Sequence, residues 1–220
     1  MDNSNISAIK NGDKALYFSS EYSGPIKPIN QKKLSRSVKK HINEIRDSKA
    51  ESVLDLGCGA GGILLALQNA GISEIHGIDA SPEAILMTKQ RFEKFGTLEN
   101  TSFTVGDIID FEPPIVDAVS SHAVICCYPN AVGIVDKATQ NKPKMVILTF
   151  PKDNLLNKTL IVIQNMVLWV IARFNKSIRG RKGYAHTTDV VDATFTKNEY
   201  KLVSSEKGLF WQTLIYNKTE

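Results

Sequence analysis

The sequence holds three cysteines, Cys58, Cys126 and Cys127, but no C-x-x-C pair and no metal-ligand spacing around them. A structural zinc site is therefore not expected, and the chain suits a reducing, cytoplasmic setting. Long apolar runs are missing too: no segment reads as a membrane span, and the polar stretch Met1 to Lys14 lacks the apolar core of a signal peptide. Charge of one sign is scarce, the excess being only +4. That falls short of the clustered basic surface of a dedicated nucleic-acid binder, and the cations are not interleaved with stacking aromatics. Internal repeats and low-complexity tracts are also absent.

With 220 residues the chain suits one domain with a full hydrophobic core. Its most informative stretch is Val53-Leu54-Asp55-Leu56-Gly57-Cys58-Gly59-Ala60-Gly61-Gly62, where a short apolar strand runs into a glycine turn and the turn opens the apolar-periodic segment from Ile63 to Asn69. A second strand, His76-Gly77-Ile78-Asp79, follows and ends on a carboxylate. Strand, glycine turn, helix, strand and acid form a nucleotide-site pattern. Gly57, Gly59 and Gly62 also satisfy the dinucleotide fingerprint, so the glycines alone do not choose a ligand. Asp55 chooses: a carboxylate at the strand end repels a pyrophosphate and attracts a ligand carrying sulfonium and ammonium charge.

On these residues the sequence resembles the class I S-adenosylmethionine-dependent methyltransferases, over positions 35 to 217. The resemblance implies an α/β fold, a Rossmann-like doubly wound sheet of seven mostly parallel strands, with the last strand antiparallel between strands 4 and 5. It implies S-adenosylmethionine as cofactor. Asp55 and the backbone of Gly57, Cys58, Gly59 and Gly61 would hold its methionyl end, Asp79 and Ala80 its ribose, and Asp107 and Ile108 its adenine, with Ser121 facing it from the fourth strand. Asp79 as a helix cap ahead of Pro82, and Asp107 as a plain turn residue, are the other uses of those two positions.

Residues 1–30, with Tyr17, Phe18 and Tyr22, read as an N-terminal cap or strap, and 31–220 as a single methyltransferase domain. Spacing predicts a helix over Gln31 to Asp47 and strands at Ser52–Leu56, Glu74–Asp79, Thr101–Val105, Val116–Ser120 and Met145–Phe150. A helix from Thr188 and a hairpin of Lys201–Ser205 and Leu209–Tyr216 complete the chain. Candidate catalytic groups are His122 at a strand edge, His186 in a late loop, and Tyr128 beside the acceptor. Cys126 and Cys127 read as buried hydrophobes rather than a redox pair.

Residues 154–186 stand out as an insertion, an apolar helix over 155–174 followed by a basic loop. No charge occurs from Thr159 to Ala172, while Arg173, Lys176, Arg179, Arg181 and Lys182 follow at once. Peripheral membrane contact through 155–182, a wall for a lipophilic acceptor and a dimer face all suit such a helix, as does a core helix with a solvated loop. The expected function is transfer of a methyl group to a small, lipophilic acceptor by a monomer or homodimer, cytoplasmic or peripheral at the membrane. An RNA methyltransferase and a non-catalytic scaffold are the alternatives. Against the first stands the absence of the N/D-P-P-Y/F motif; against the second, the intact Asp55, Asp79 and Asp107. An NAD-dependent reductase fails on Asp55. A more distant likeness, to the magnesium-protoporphyrin O-methyltransferases, does not transfer acceptor identity.

Overall fold

The computed structural model describes residues 25–175 and 182–219. Tyr17, Phe18 and Tyr22, and the cations Lys176, Arg179 and Arg181, lie outside the described residues. Seven strands form one sheet in the order β3-β2-β1-β4-β5-β7-β6. Their bounds are β1 Ser52–Leu56, β2 Glu74–Asp79, β3 Thr101–Val105, β4 Ala118–His122, β5 Met145–Pro151, β6 Tyr200–Lys207 and β7 Trp211–Lys218. Strands β1 to β5 pair in parallel, and β7 is antiparallel to both its neighbours.

The expected position of the last strand is corrected here. Strands β4 and β5 pair directly over five rungs, leaving no gap between them, so β7 takes the free edge of β5 and β6 folds back outside it. A seven-rung hairpin ladder with a short turn brings its two strands together before either needs another partner. Strand β4 also starts two residues later than expected, which puts His122 inside it.

Six α-helices occur among the described residues: α1 Arg36–Asp47, α2 Gly62–Asn69, α3 Pro82–Phe95, α4 Ala131–Thr139, α5 Leu155–Ile171 and α6 Thr188–Lys197. The helix expected from Gln31 is split, because the Ser35 hydroxyl accepts from Val38 N–H and starts α1 there, behind a short 3-10 turn over Gln31–Lys33. Strands buried on both faces give two cores. Ile45, Leu64, Leu67 and Phe92 pack with Val53, Ile75 and Ile147 on one face; Ile134, Val135, Val191 and Phe195 pack with Leu56, Leu148 and Tyr216 on the other. Ile29 packs against the first core, so the domain body reaches slightly into the segment read as cap. Helix α5 joins neither core; of its residues only Asn157 is fully buried. It ends at Ile171, three residues short of the expected bound.

Candidate functional site

The candidate cofactor residues lie at the C-terminal edge of the sheet, on the turn between β1 and α2 and at the ends of β2, β3 and β4. Gly57 has φ +75°, and a Cβ there would run into the Cγ2 of Val124. Gly61, at φ +71°, leads into α2, and a Cβ there would stand 2.7 Å from Cγ2 of Thr88. Both positions need glycine twice over, for backbone conformation and for space. The N–H groups of Gly57 and Cys58 donate to the Ile78 carbonyl at 2.8 and 2.9 Å, which fixes the turn to the end of β2. From α3, the Thr88 hydroxyl donates to the Gly59 carbonyl at 2.9 Å and the Arg91 guanidinium to that of Ala60. Burial and the nearby carboxylates push the Cys58 thiol up, so it stays protonated.

Two carboxylates flank the turn. Asp55 is 2% exposed, and its Oδ1 has no hydrogen-bond partner. Burial pushes its pKa up to about 7, against a neighbouring Ser120 hydroxyl that favours ionisation and with the charge of Asp79 adding to the rise. Asp79 accepts from Gly59 N–H and Ser81 N–H, each at 2.9 Å, and burial still raises its pKa. The cap of α3 is Ser81, whose hydroxyl accepts from Ala84 N–H at 3.1 Å with Pro82 behind it. Asp79 is thus not the cap; it clamps the glycine turn and leads on to the half-buried Ala80. A buried anionic oxygen without a partner suits a ligand bearing N–H or positive charge and rejects a diphosphate. S-adenosylmethionine, with an ammonium and a sulfonium, fits that donor set.

At the next strand end, Asp107 Oδ1 accepts from Ile109 N–H at 3.1 Å and Ile108 is buried. The phenol of Tyr128, itself buried, faces Asp107; burial first, then that charge, pushes its pKa up. Tyr128, expected beside the acceptor, thus faces Asp107 and stays protonated.

The other side of the site is built on β4. Ser121 is buried and donates to the Leu56 carbonyl at 3.3 Å. Ser120 pairs with Asp55 in the ladder, and His122 lies two residues further on the same sheet face, about 7 Å along the strand. His122 Nε2 shares a hydrogen with Ser37 Oγ of α1 at 2.9 Å, and its ring stacks on Trp211, centroids 6.4 Å apart. Burial lowers its pKa, so the ring is neutral at pH 7. Directly after it, Ala123 takes φ +63° and donates its N–H to the Thr149 carbonyl, a strained position that sets the end of the strand.

One polar residue here was not picked out by sequence. His41 of α1 is fully buried, with Nδ1 3.0 Å from Ser120 Oγ and Nε2 2.8 Å from Thr149 Oγ1, and Thr149 in turn 2.8 Å from Thr213 Oγ1. Its place between Val38 and Ile42, four residues after Ser37, was the available signal: a polar pair inside the apolar face of an amphipathic helix.

His186 has a different task from His122. Its Nε2 lies 3.1 and 2.8 Å from the carbonyls of Ile125 and Tyr128. Carbonyls only accept, so Nε2 carries the hydrogen and ties the late loop to the turn after β4. Tyr184 N–H, donating to the Cys126 carbonyl at 2.8 Å, fastens the same loop. The thiols of Cys126 and Cys127 both point to the Ala123 carbonyl, and Cys126 is pushed up by Cys127 and by burial. Among the described residues no group of three or more His, Cys, Asp or Glu could hold a metal ion.

The sequence pattern of a family described as "Methyltransferase domain" matches residues 47–201, which covers β1 to the start of β6 and every residue of the glycine turn. The chain belongs to that family. A curated relative, the "Probable cobalt-precorrin-6B C(15)-methyltransferase (decarboxylating)" of Saccharolobus solfataricus, is 37% identical over 70 residues, 30% of this chain and 34% of the relative. The match thus spans about a third of that protein's length. Among solved structures, magnesium protoporphyrin IX methyltransferase from Synechocystis, with bound S-adenosylhomocysteine, superposes with TM-score 0.62 at 17% identity, covering 92% of this chain and 93% of that one. The 1,6-didemethyltoxoflavin-N1-methyltransferase of Burkholderia thailandensis gives 0.60 at 11% identity, over 84% and 79%. At such identities the shared feature is the fold, that of the S-adenosylmethionine-binding methyltransferases.

Proposed function

We propose that this methyltransferase transfers the methyl group of S-adenosylmethionine to a small lipophilic acceptor seated at the end of β4 beside His122. The observation that carries this reading is the placement of Asp55 and His122 on one sheet face, one strand apart, with the ring of Trp211 stacked beside His122. Asp55, through its unpartnered oxygen, binds the cofactor's cationic end. Asp79 holds the glycine turn and takes the ribose hydroxyls, while Asp107, Ile108 and Tyr128 line the adenine side.

When bound, the cofactor supplies an electrophilic methyl carbon and a neutral thioether as leaving group. The protein's share is alignment of the acceptor in a desolvated space, which accounts for much of such a rate enhancement. For a hydroxyl acceptor, neutral His122 receives the proton, with Ser37 holding its ring.

Calorimetric titration with S-adenosylmethionine and NADH, followed by a methyl-transfer screen over hydrophobic phenols and carboxylic acids, tests the reading. Binding of the first ligand alone is expected. Replacing His122 by Ala should lower kcat roughly 100-fold or more and leave cofactor affinity unchanged. Labelling of an RNA pool with no transfer to any hydrophobic acceptor would overturn the acceptor class while leaving the cofactor assignment standing.

A further inference from the structure

Helix α5 is inside out. Asn157, Ile161, Asn165, Leu168 and Ala172, spaced three and four residues apart, form the stripe turned to the protein body. Asn157 Nδ2 donates to the carbonyls of Lys152 and Phe210 at 3.0 and 2.8 Å. Asn165 exchanges two hydrogen bonds with the backbone of Gly183, at 2.9 and 2.8 Å. Asn157 and Asn165 therefore face inward, where backbone groups receive them, while Lys158, Thr159 and Gln164 are exposed. Apolar side chains face out: Leu155, Val162, Ile163, Met166, Trp169 and Val170 are each at least half exposed. At 100° per residue the outward apolar arc, from Trp169 round to Ile171, is about 200° wide. Beside the helix start, the turn of the β6–β7 hairpin adds Leu209, 74% exposed, and Phe210.

The sequence around this face is rich in cations. Between Asp153 and Asp189 the sequence carries six Lys and Arg and no carboxylate. Among the described cations, Lys158 pairs with Asp153 at the helix start, while Arg173 lies over the ring of Trp169 at 4.3 Å and Lys182 over that of Tyr184 at 5.5 Å, so these two stand directly beside aromatic rings. Seventeen residues make a helix of about 25 Å, and no helix among the described residues is long and apolar enough to cross a membrane. The geometry is that of a helix lying in a surface.

We propose that α5 docks the methyltransferase on an anionic lipid surface, with its outward arc in the acyl boundary and the surrounding cations against the headgroups. A single helix from a partner or from a second copy covers a narrower stripe than a 200° arc, and neither calls for the cation-rich stretch that follows α5. The docked helix is continuous with the site: Asn165 holds Gly183, and the loop from Gly183 runs to Tyr184 and His186, which are tied to the turn after β4. A lipophilic acceptor would then reach His122 from the bilayer; that last step rests on the proposed acceptor class, whereas the docking does not.

The test is co-flotation of the full chain with vesicles of phosphatidylcholine alone and of phosphatidylcholine mixed with phosphatidylglycerol. Recovery with the anionic vesicles, at least 10-fold above the neutral ones and lost in high salt, is expected. The double variant Ile163→Glu, Met166→Glu should abolish it, and Arg173→Glu should weaken it. All should keep wild-type affinity for S-adenosylhomocysteine, which shows that fold and cofactor site are intact. No flotation on either vesicle would overturn the proposal, as would undiminished flotation of the double variant. So would a solution dimer that the double variant dissociates, which would make a second copy the occupant. Flotation is read without any methyl acceptor, so its outcome is separate from that of the transfer screen.

Discussion

A buried carboxylate with one unpaired oxygen is costly to the protein that carries it, and Asp55 is such a group. Its proton leaves near pH 3.8 in the unfolded chain and near 7 in the fold. Between those values the folded state holds a proton that the unfolded state has lost, so this group's contribution to stability is full below pH 3.8 and falls as pH rises to 7. Three pH units correspond to about 4 kcal/mol. Asp55→Asn should therefore raise the thermal midpoint of the ligand-free protein at pH 8 and flatten its decline between pH 4 and 7. A residual slope is expected from Asp79, which is shifted in the same direction. The same variant should lose roughly 10- to 100-fold in S-adenosylmethionine affinity, the loss of a charge-assisted contact. Scanning fluorimetry over pH and calorimetry check the two halves; a variant that loses affinity with no change of pH slope would mean that Asp55 is ionised in the free protein. On the acid side the shifts run oppositely. Burial lowers His41 and His122, so their contribution is present above pH 6.5 and lost below it.

Elements hold these residues in place through a few contacts that sequence periodicity does not reveal. Gly57 passes under Val124, which comes from the segment after β4, and Gly57→Ala combines a left-handed backbone with that collision. A loss of about 1–3 kcal/mol is expected, along with cofactor binding. Adding Val124→Ala should recover part of the stability, since space returns while the φ strain remains; chemical denaturation of the two variants is the check. Helix α1 does more than cover the sheet. His41 satisfies Ser120 and Thr149 on two strands at once, so His41→Ala should cost about 2–4 kcal/mol through a cavity and two unpaired hydroxyls, measured in the same way. Helix α5 shows the limit of reading amphipathicity from composition. An uncharged run with a narrow polar stripe was visible, but the stripe's direction was not. Asn157 and Asn165 turn inward only because Phe210 and Gly183, far along the chain, present backbone groups there.

At the scale of the whole molecule, two cores on either face of a seven-stranded sheet leave the candidate cofactor residues at one edge, supplied by the ends of β1, β2, β3 and β4 together. Binding there should stabilise the domain as a unit. S-adenosylhomocysteine at 100 times its Kd should add about 2.7 kcal/mol, a rise of roughly 5–10 °C in midpoint for a chain of this size, and about 1.4 kcal/mol or less in Asp55→Asn at the same concentration. The sequence by itself determined the glycine turn, the acids at 55, 79 and 107, and the alternation of strands and helices. Those are local: each follows from a turn's dihedral requirements or from a period of 2 or 3.6 within one segment. The helix bound at Ser81 follows equally from a cap within reach of a few residues, whereas the Ser35 cap, equally local, is passed over by the expected start at Gln31. Tertiary structure decided the rest. The place of β7 depends on which strand edge is free once β4 and β5 have paired. The division of labour among His41, His122 and His186 depends on which hydroxyls and carbonyls distant segments bring to each ring. The exposure of α5 depends on what the body leaves uncovered. Each of these is a pairing between residues far apart in sequence, and no local pattern encodes it.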